Sequence, residues 1–451
     1  MKKILIKKNG LRKILTLFIS IIFIFNLTGC DGKKKEENNE VTKGEITIAV
    51  WNKEMFGSDV KDPIIGNTMV DFQNDTGVEV SYDIIYANTY NEYLSKLNAK
   101  LYSDNGPTLI YFPNRASSKR YIEAGVALDV TNKIDNLEKV YDIFNDDKVH
   151  FIAVGMYYPS IVLNKGILDR LDIEPPDGDW DKKDFLSIRE KWLNVKERHF
   201  NFMEYLNTIV FPYNELDIID KEEKVIKLNN DTVKNFIINA RDEIFSGNYK
   251  LLHDSEFYHK AFFYRTSDEA AVDFRDMEKY IDENLVIYDT QNVLKVQQSA
   301  RANENRIVLP NIYDRGVYTY GFIVNKKGKN RAEGLEFVNR LLSNKNQIRI
   351  YEDQIYWFYP VNSEVGGEIE KIDKRNGLDK KYITMRNKVL NKIKKEEDIR
   401  YSFEDLKTTK IKSSIKKEFF KIIFSEEEYT DEKLERKLKQ LENEYSLLLT
   451  E

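Results

Sequence analysis

The sequence predicts an α/β fold, and three observations carry that expectation. Short apolar runs rich in β-branched residues alternate with helix-period segments from Glu45 to Ala124. The gap between successive runs holds one crossover helix each, the pattern of βαβ units and a mostly parallel sheet. Strand character returns at residues 318–324, "YTYGFIV", and another helical segment follows.

The elements follow in order. "EITIAVW" at 45–51 reads as a buried strand. Ile65, Met69 and Phe72 share one helix face, and Thr76-Gly77 closes that helix. "VEVSYDII" at 78–85 is the second strand. Thr89-Tyr90-Asn91-Glu92 is a capping box that opens a helix carrying Tyr93, Leu97 and Leu101 on one face. Gly106-Pro107 ends it, and "TLIYF" at 108–112 is the third strand. Arg115 to Ala124 gives a further helix before Gly125. The middle, about 160–310, is more helical, with a helix over 179–193 capped by Asp179. Trp180 reads as packing at that helix start. A helix over 331–343 follows the late strand, and Leu434, Leu438, Leu441, Tyr445 and Leu448 mark an amphipathic helix headed by Thr430.

The N-terminus is of another kind. Six basic residues and no acid precede an apolar run from Ile14 to Phe25. As a helix that run spans about 18 Å, short of the ~30 Å hydrocarbon core. A basic head, a short apolar middle and small residues after it form a secretory signal pattern. Leu27-Thr28-Gly29-Cys30 resembles the lipobox of bacterial lipoproteins, and Cys30 is the one cysteine in 451 residues. The resemblance implies lipidation of Cys30 and cleavage before it. Residues 31–44, "DGKKKEENNEVTKG", hold one sizeable apolar side chain and read as a tether.

Composition excludes several classes. The leader holds six of the 70 Lys and Arg and none of the 75 acids, so the remainder carries a net charge of −11. That balance does not suit nucleic acid. No Gly-rich phosphate loop, G-x-S-x-G or H-E-x-x-H occurs, and the four histidines are His150, His199, His253 and His259. Glu256 and His259 could share a helix face, but one pair lacks the ligand count of a catalytic metal site. No enzyme, cofactor or metal is expected. No internal repeat and no second apolar run of membrane-spanning length is found.

Four stretches, in order, resemble the extracellular solute-binding proteins of ABC importers, in the carbohydrate-type family that includes maltose-binding protein. They are "EITIAVWN…VDFQNDTGVEVSY", "YLSKLNAKLYSDNGPTLIYF" with "YIEAGVALDVT", "SIVLNKGILDRLDIEPPDGDW", and the segment "YGFIVNKKGKNRAEGLEFVNRLLSNKNQIRIYEDQIYWFYPVN". The resemblance implies two discontinuous α/β lobes joined by hinge strands, with a ligand cleft between them. The expected divisions are 45–155 with 318–385, and 156–317 with 386–451. Crossings are expected near Val154–Tyr158, near Asp314–Tyr318 and within 370–400. It also implies a small-molecule ligand, a sugar or oligosaccharide, delivered to ABC permease subunits at the outer face of a lipid-anchoring membrane. A surface lipoprotein of the same fold, serving sensing, adhesion or a partner complex, is the alternative. The chain departs from the family pattern at Thr108, where Asp is common, and at 408–417, "TTKIKSSIKK", which lacks an aromatic residue.

Ligands of α/β sheets sit at the carboxyl ends of strands. That rule nominates Trp51, Phe112, Arg115, Tyr157, Tyr158, Arg275 and Trp357. For each aromatic the competing role is core packing, and for each Arg a surface ion pair.

Overall fold

Ile46, Ile48, Ala49 and Val50 are all buried, on a strand paired along both of its edges. The computed structural model describes residues 44–52, 63–101, 106–220, 222–251, 283–287, 292–295, 305–313, 316–353, 358–396, 406–425 and 429–450. The first strands are β1 (Glu45–Trp51), β2 (Glu79–Ile85), β3 (Leu109–Phe112) and β4 (Ile152–Tyr157), followed by β5 (Ser160–Asn164), β6 (Val286–Ile287), β7 (Arg306–Pro310), β8 (Tyr318–Val324) and β9 (Tyr359–Pro360). Six of them form one sheet in the order β9-β4-β8-β3-β1-β2. Three form a second sheet in the order β6-β5-β7.

The sheet is less parallel than expected. β1 pairs in parallel with β2 and β3. β8 inserts antiparallel between β3 and β4, and β9 is antiparallel to β4. The inserted strand comes from about 200 residues downstream, so nothing local to β3 or β4 announces it.

Crossover helices cover the first sheet. α1 (Pro63–Thr76) is ended by Gly77, whose φ of 70° suits glycine. α2 (Tyr90–Leu101) buries Tyr93, Leu97 and Leu101. Thr89 caps it by accepting from Glu92 N at 3.2 Å, while Glu92 accepts from Asn88 N at 2.8 Å. Arg115–Ser118 is a 3-10 turn, and α-helix proper runs only over Lys119–Glu123.

Beyond β5, α3 (Lys182–Leu193) is capped by Asp181 in a capping box with Asp184, two residues beyond the expected Asp179. Trp180 explains the shift. It is buried, donates from Nε1 to Pro310 O at 3.0 Å and packs edge-on against Phe185. That seat holds the chain outside the helix until Asp181, and Asp179 pairs with Lys388 instead. α4 (Asp231–Ile244) follows.

α5 (Arg331–Leu341) and α6 (Asn344–Glu352) lie between β8 and β9 in the chain, and α7 (Gly366–Arg375) follows β9. α8 (Lys380–Lys395) runs unbroken through 385–386, where the sequence reading divides its lobes. Arg386 forms a buried ion pair with Asp373, and Met385 packs against Gly178, where an added Cβ would come 2.6 Å from Met385 Cγ. α9 (Leu406–Ile423) and α10 (Asp431–Thr450) dock on α4 and the turn before it: Glu442 accepts from Leu228 N and Asn229 N, and Arg241 donates to Ile423 O at 2.9 Å. Leu434, Leu438, Leu441 and Tyr445 are buried as the spacing predicts, but Leu448 is exposed because Leu449, four residues after Tyr445, takes the next place on the buried face.

Candidate functional site at the carboxyl edge of the large sheet

Strand directions place several nominated residues on one edge. β1, β3 and β4 run the same way, so Trp51, Phe112 and Tyr157 end their strands at the same side of the sheet. β8 runs the other way and starts there with Tyr318, directly opposite Tyr157. At this edge the chain leaves for the second sheet, from Tyr157 to Ser160, and comes back between Pro310 and Tyr318. Residues 314 and 315 of the expected return crossing lie outside the described residues. A crevice outside the carboxyl ends of strands, where connections change direction, is where open α/β sheets bind ligands.

Trp51 is half-buried. Its ring stacks on Tyr93 at 5.7 Å and 20°, and its Nε1 donates to Ala87 O at 3.1 Å. The next residue, Asn52, accepts from Ala87 N at 3.0 Å, so the strand end is locked to the 85–87 turn. Tyr86, beside that turn, is 69 % exposed.

Tyr157 is partly exposed and its ring lies 6.4 Å from that of Tyr318, which is 43 % exposed. Two adjacent tyrosines with wet edges supply apolar faces and hydroxyls together. Tyr158 is buried, and its role is in the backbone. Its N–H donates to Asn292 Oδ1 at 3.1 Å, and Asn292 Nδ2 donates to Met156 O at 3.1 Å. That carboxamide pins the outgoing crossing.

Phe112 shows no exposed surface and packs against Tyr121 at 5.5 Å. Its strand is flanked by β1 and β8, so core packing takes its ring. Arg115 is largely buried and ion-paired with Asp146, while the preceding Asn114 caps the 3-10 turn by accepting from Ser117 N. Cys30, Arg275 and Trp357 lie outside the described residues, as do His253, Glu256 and His259. His199 pairs with Glu283 at 3.2 Å. Among the described residues no cluster of three or more His, Cys, Asp or Glu could hold a metal, and no helix is long and apolar enough to cross a membrane.

Sequence reasoning missed Tyr318 and Asn292. In the sequence Tyr318 reads only as the start of a strand, and its pairing with Tyr157 across 161 positions has no local mark. Asn292 sits in an irregular stretch, where a structural carboxamide looks like any loop asparagine.

A family model described as "Bacterial extracellular solute-binding protein" matches residues 67–374, more than half of the chain. Among curated protein sequences none matches significantly. Solved structures of similar fold include an ABC substrate-binding protein from Listeria monocytogenes in complex with cycloalternan, at 15% identity and a TM-score of 0.55, covering 90% of this chain and 99% of that one. The cyclic alpha-maltosyl-1,6-maltose binding protein of Arthrobacter globiformis is similar at 13% identity and a TM-score of 0.56, with 90% and 98% covered. An extracellular solute-binding protein family 1 member from Alicyclobacillus acidocaldarius is similar at 12% identity and a TM-score of 0.59, with 93% and 100% covered. At these identities the likeness concerns the fold, and it spans both sheets. The family match and the two-sheet architecture agree: the chain belongs to the bacterial extracellular solute-binding proteins.

Proposed function

We propose that this chain is a lipid-anchored binding protein that captures a sugar or oligosaccharide at the carboxyl edge of its large sheet and hands it to an ABC permease. The observation that carries the reading is the edge itself. Trp51, Tyr157 and Tyr318 end or begin their strands there, where the chain passes between the two sheets. A sugar ring has apolar C–H faces and a rim of hydroxyls, and partly exposed tyrosines answer both. The structural relatives solved with or named for cyclic oligosaccharides support the ligand class. The lipobox-like Leu27–Cys30 and the polar stretch after it support the anchor, which would keep the binder close to its permease. The two crossings and α8 are the links on which a hinge between lobes would turn. Closure on a ligand by hinge motion is the expected working stroke.

The test is a thermal-shift screen with maltose, maltotriose and cyclic maltooligosaccharides, followed by calorimetry on each hit. A ligand at 100 times its dissociation constant should stabilise the fold by about 2.7 kcal/mol. Small-angle scattering with that ligand should show a smaller radius of gyration. No shift with any saccharide would remove the carbohydrate reading, and a ligand of other chemistry would keep the binding-protein reading.

A further inference from the structure

Residues 292–295 lie in the chain between β6 and β7, and Val293–Lys295 is a 3-10 turn. The turn is bonded to the outgoing crossing. Besides the Asn292 carboxamide bonds to Tyr158 N and Met156 O, Val293 N donates to Tyr158 O at 3.0 Å. Asn292 Oδ1 also accepts from Leu294 N at 3.1 Å. Next along the crossing, Pro159 O accepts from Asn311 N at 3.0 Å, which joins the outgoing crossing to the start of the return. Lys295 closes the turn, and its ammonium donates to Ile350 O at 2.8 Å and to Asp353 O. Both carbonyls stand at the carboxyl end of α6, where a helix has acceptors without intrahelical donors and carries partial negative charge. α6 is fixed in turn: Gln347 Nε2 donates to Val154 O at 3.0 Å, and its Oε1 accepts from Val361 N at 2.9 Å.

A lysine in this seat holds best as a cation. Its bonds to carbonyls are then charge-assisted, roughly twice as strong as neutral ones, and the helix end favours positive charge. Burial works against the cation and pushes the pKa of Lys295 down from 10.5 to about 7, with the Asp353 carboxylate opposing. The other charges on the elements around it are engaged or distant. On α6, Arg349 pairs with Asp71 and Glu352 with Arg375. Arg386 of α8 and Asp373 of α7 meet at the Tyr351 hydroxyl, and the Tyr351 ring lies 6.0 Å from Lys295 Nζ. β7 comes beside the turn at Pro310 and carries its single charge, Arg306, at the opposite end.

We propose that Lys295 is a proton-operated latch: its ammonium holds the outgoing crossing to α6, and loss of the proton slackens that hold and weakens ligand capture. A crossing held in place costs less to order when a ligand binds, so the protonated latch favours binding. The effect on capture rests on the strand-edge site and the hinge closure proposed above. The slackening of the crossing does not.

Amide hydrogen exchange on the ligand-free full chain in detergent micelles, corrected for the intrinsic rate at each pH, tests the latch. Protection over 156–160 and 292–295 should fall by about fivefold from pH 6 to pH 8.5, while β1 keeps its protection. Lys295→Met should abolish the step and stay at the slack level throughout. Asp353→Asn removes the group that opposes deprotonation, so the step should move to lower pH. Calorimetry with maltotriose reads the coupling: wild type should bind about fivefold more weakly at pH 8.5 than at pH 6, and Lys295→Met equally at both. No step in exchange overturns the latch, as does a step that survives in Lys295→Met. A step without any change in maltotriose affinity overturns the coupling to capture. Absence of maltotriose binding at either pH counts against the strand-edge reading, and the exchange step then decides the latch by itself.

Discussion

Gly155 lies against the ring of Tyr320 so closely that a Cβ on it would come 2.1 Å from Tyr320 Cε1 and 3.0 Å from Phe358 Cβ. The two residues are register partners on β4 and β8, one step before a register shift at Tyr320/Gly321. Tyr320 is fully buried. The ring fills the space that a side chain on β4 would take, immediately before the chain crosses to the second sheet.

Gly155→Ala should therefore be destabilising, by about 1–3 kcal/mol, because the overpacked methyl meets a ring with nowhere to go. Gly366→Ala is the matched control. An added Cβ there meets nothing within 4 Å, and the position begins α7. Its expected effect is a gain of up to about 1 kcal/mol. Urea denaturation of both variants checks the pair, and a neutral Gly155→Ala would show that β4 and β8 can part locally.

A pH effect follows from Lys295. Its ammonium donates to Ile350 O at 2.8 Å and to Asp353 O, at the carboxyl end of α6, so a residue following β6 is tied to α6. Burial pushes its pKa down from 10.5 to about 7, with Asp353 opposing. A lysine depressed in the fold binds more protons unfolded than folded between pH 7 and pH 10.5. Its contribution therefore makes stability rise with pH across that window, and the burial penalty is fully present below it. The difference in unfolding free energy between wild type and Lys295→Met should shrink or reverse in wild type's favour from pH 7 to 9.5. A pH-independent difference would show that Lys295 keeps its proton throughout.

The strands and caps that local pattern encodes were legible. β1 and β8 fall on the apolar runs, and α10 buries four of its five predicted residues. What was not legible depends on partners distant in sequence. β8 lies antiparallel between β3 and β4, Phe112 is enclosed by that insertion, and the start of α3 moves to Asp181 because Trp180 bonds to Pro310. The π-helical turn at Leu206–Val210 has no mark in "LNTIV". Trp51, by contrast, is nominated by a general rule about strand ends, and its place at the end of β1 needs only β1 to be right.

Cys30 carries the anchor reading. Cys30→Ala protein should take up no labelled fatty acid and should keep its leader or be cut elsewhere. Metabolic labelling and membrane fractionation measure both. Label retained in the variant would sink the lipobox assignment and leave the binding function untouched.

Trp51 ties the site to the fold, so two substitutions are needed to separate its roles. Its indole stacks on Tyr93 and donates to Ala87 O, and the rest of the side chain is half-exposed at the sheet edge. Trp51→Phe keeps a ring on Tyr93 and loses the N–H bond, a net cost of about 0.5–1.5 kcal/mol in stability. Trp51→Ala loses the stack as well and should cost more, since large aromatic truncations in cores cost ~3–5 kcal/mol and this residue is only partly buried. If the exposed part of the indole covers a ligand ring, the alanine variant should also weaken saccharide binding by roughly 2–4 kcal/mol, a hot-spot loss. The phenylalanine variant should fall between. Calorimetry on variants shown to be folded at the working temperature reads affinity, and their melting curves read the core. Full affinity in folded Trp51→Ala would confine Trp51 to holding the 85–87 turn and leave Tyr157 and Tyr318 as the ring-binding surfaces to truncate next.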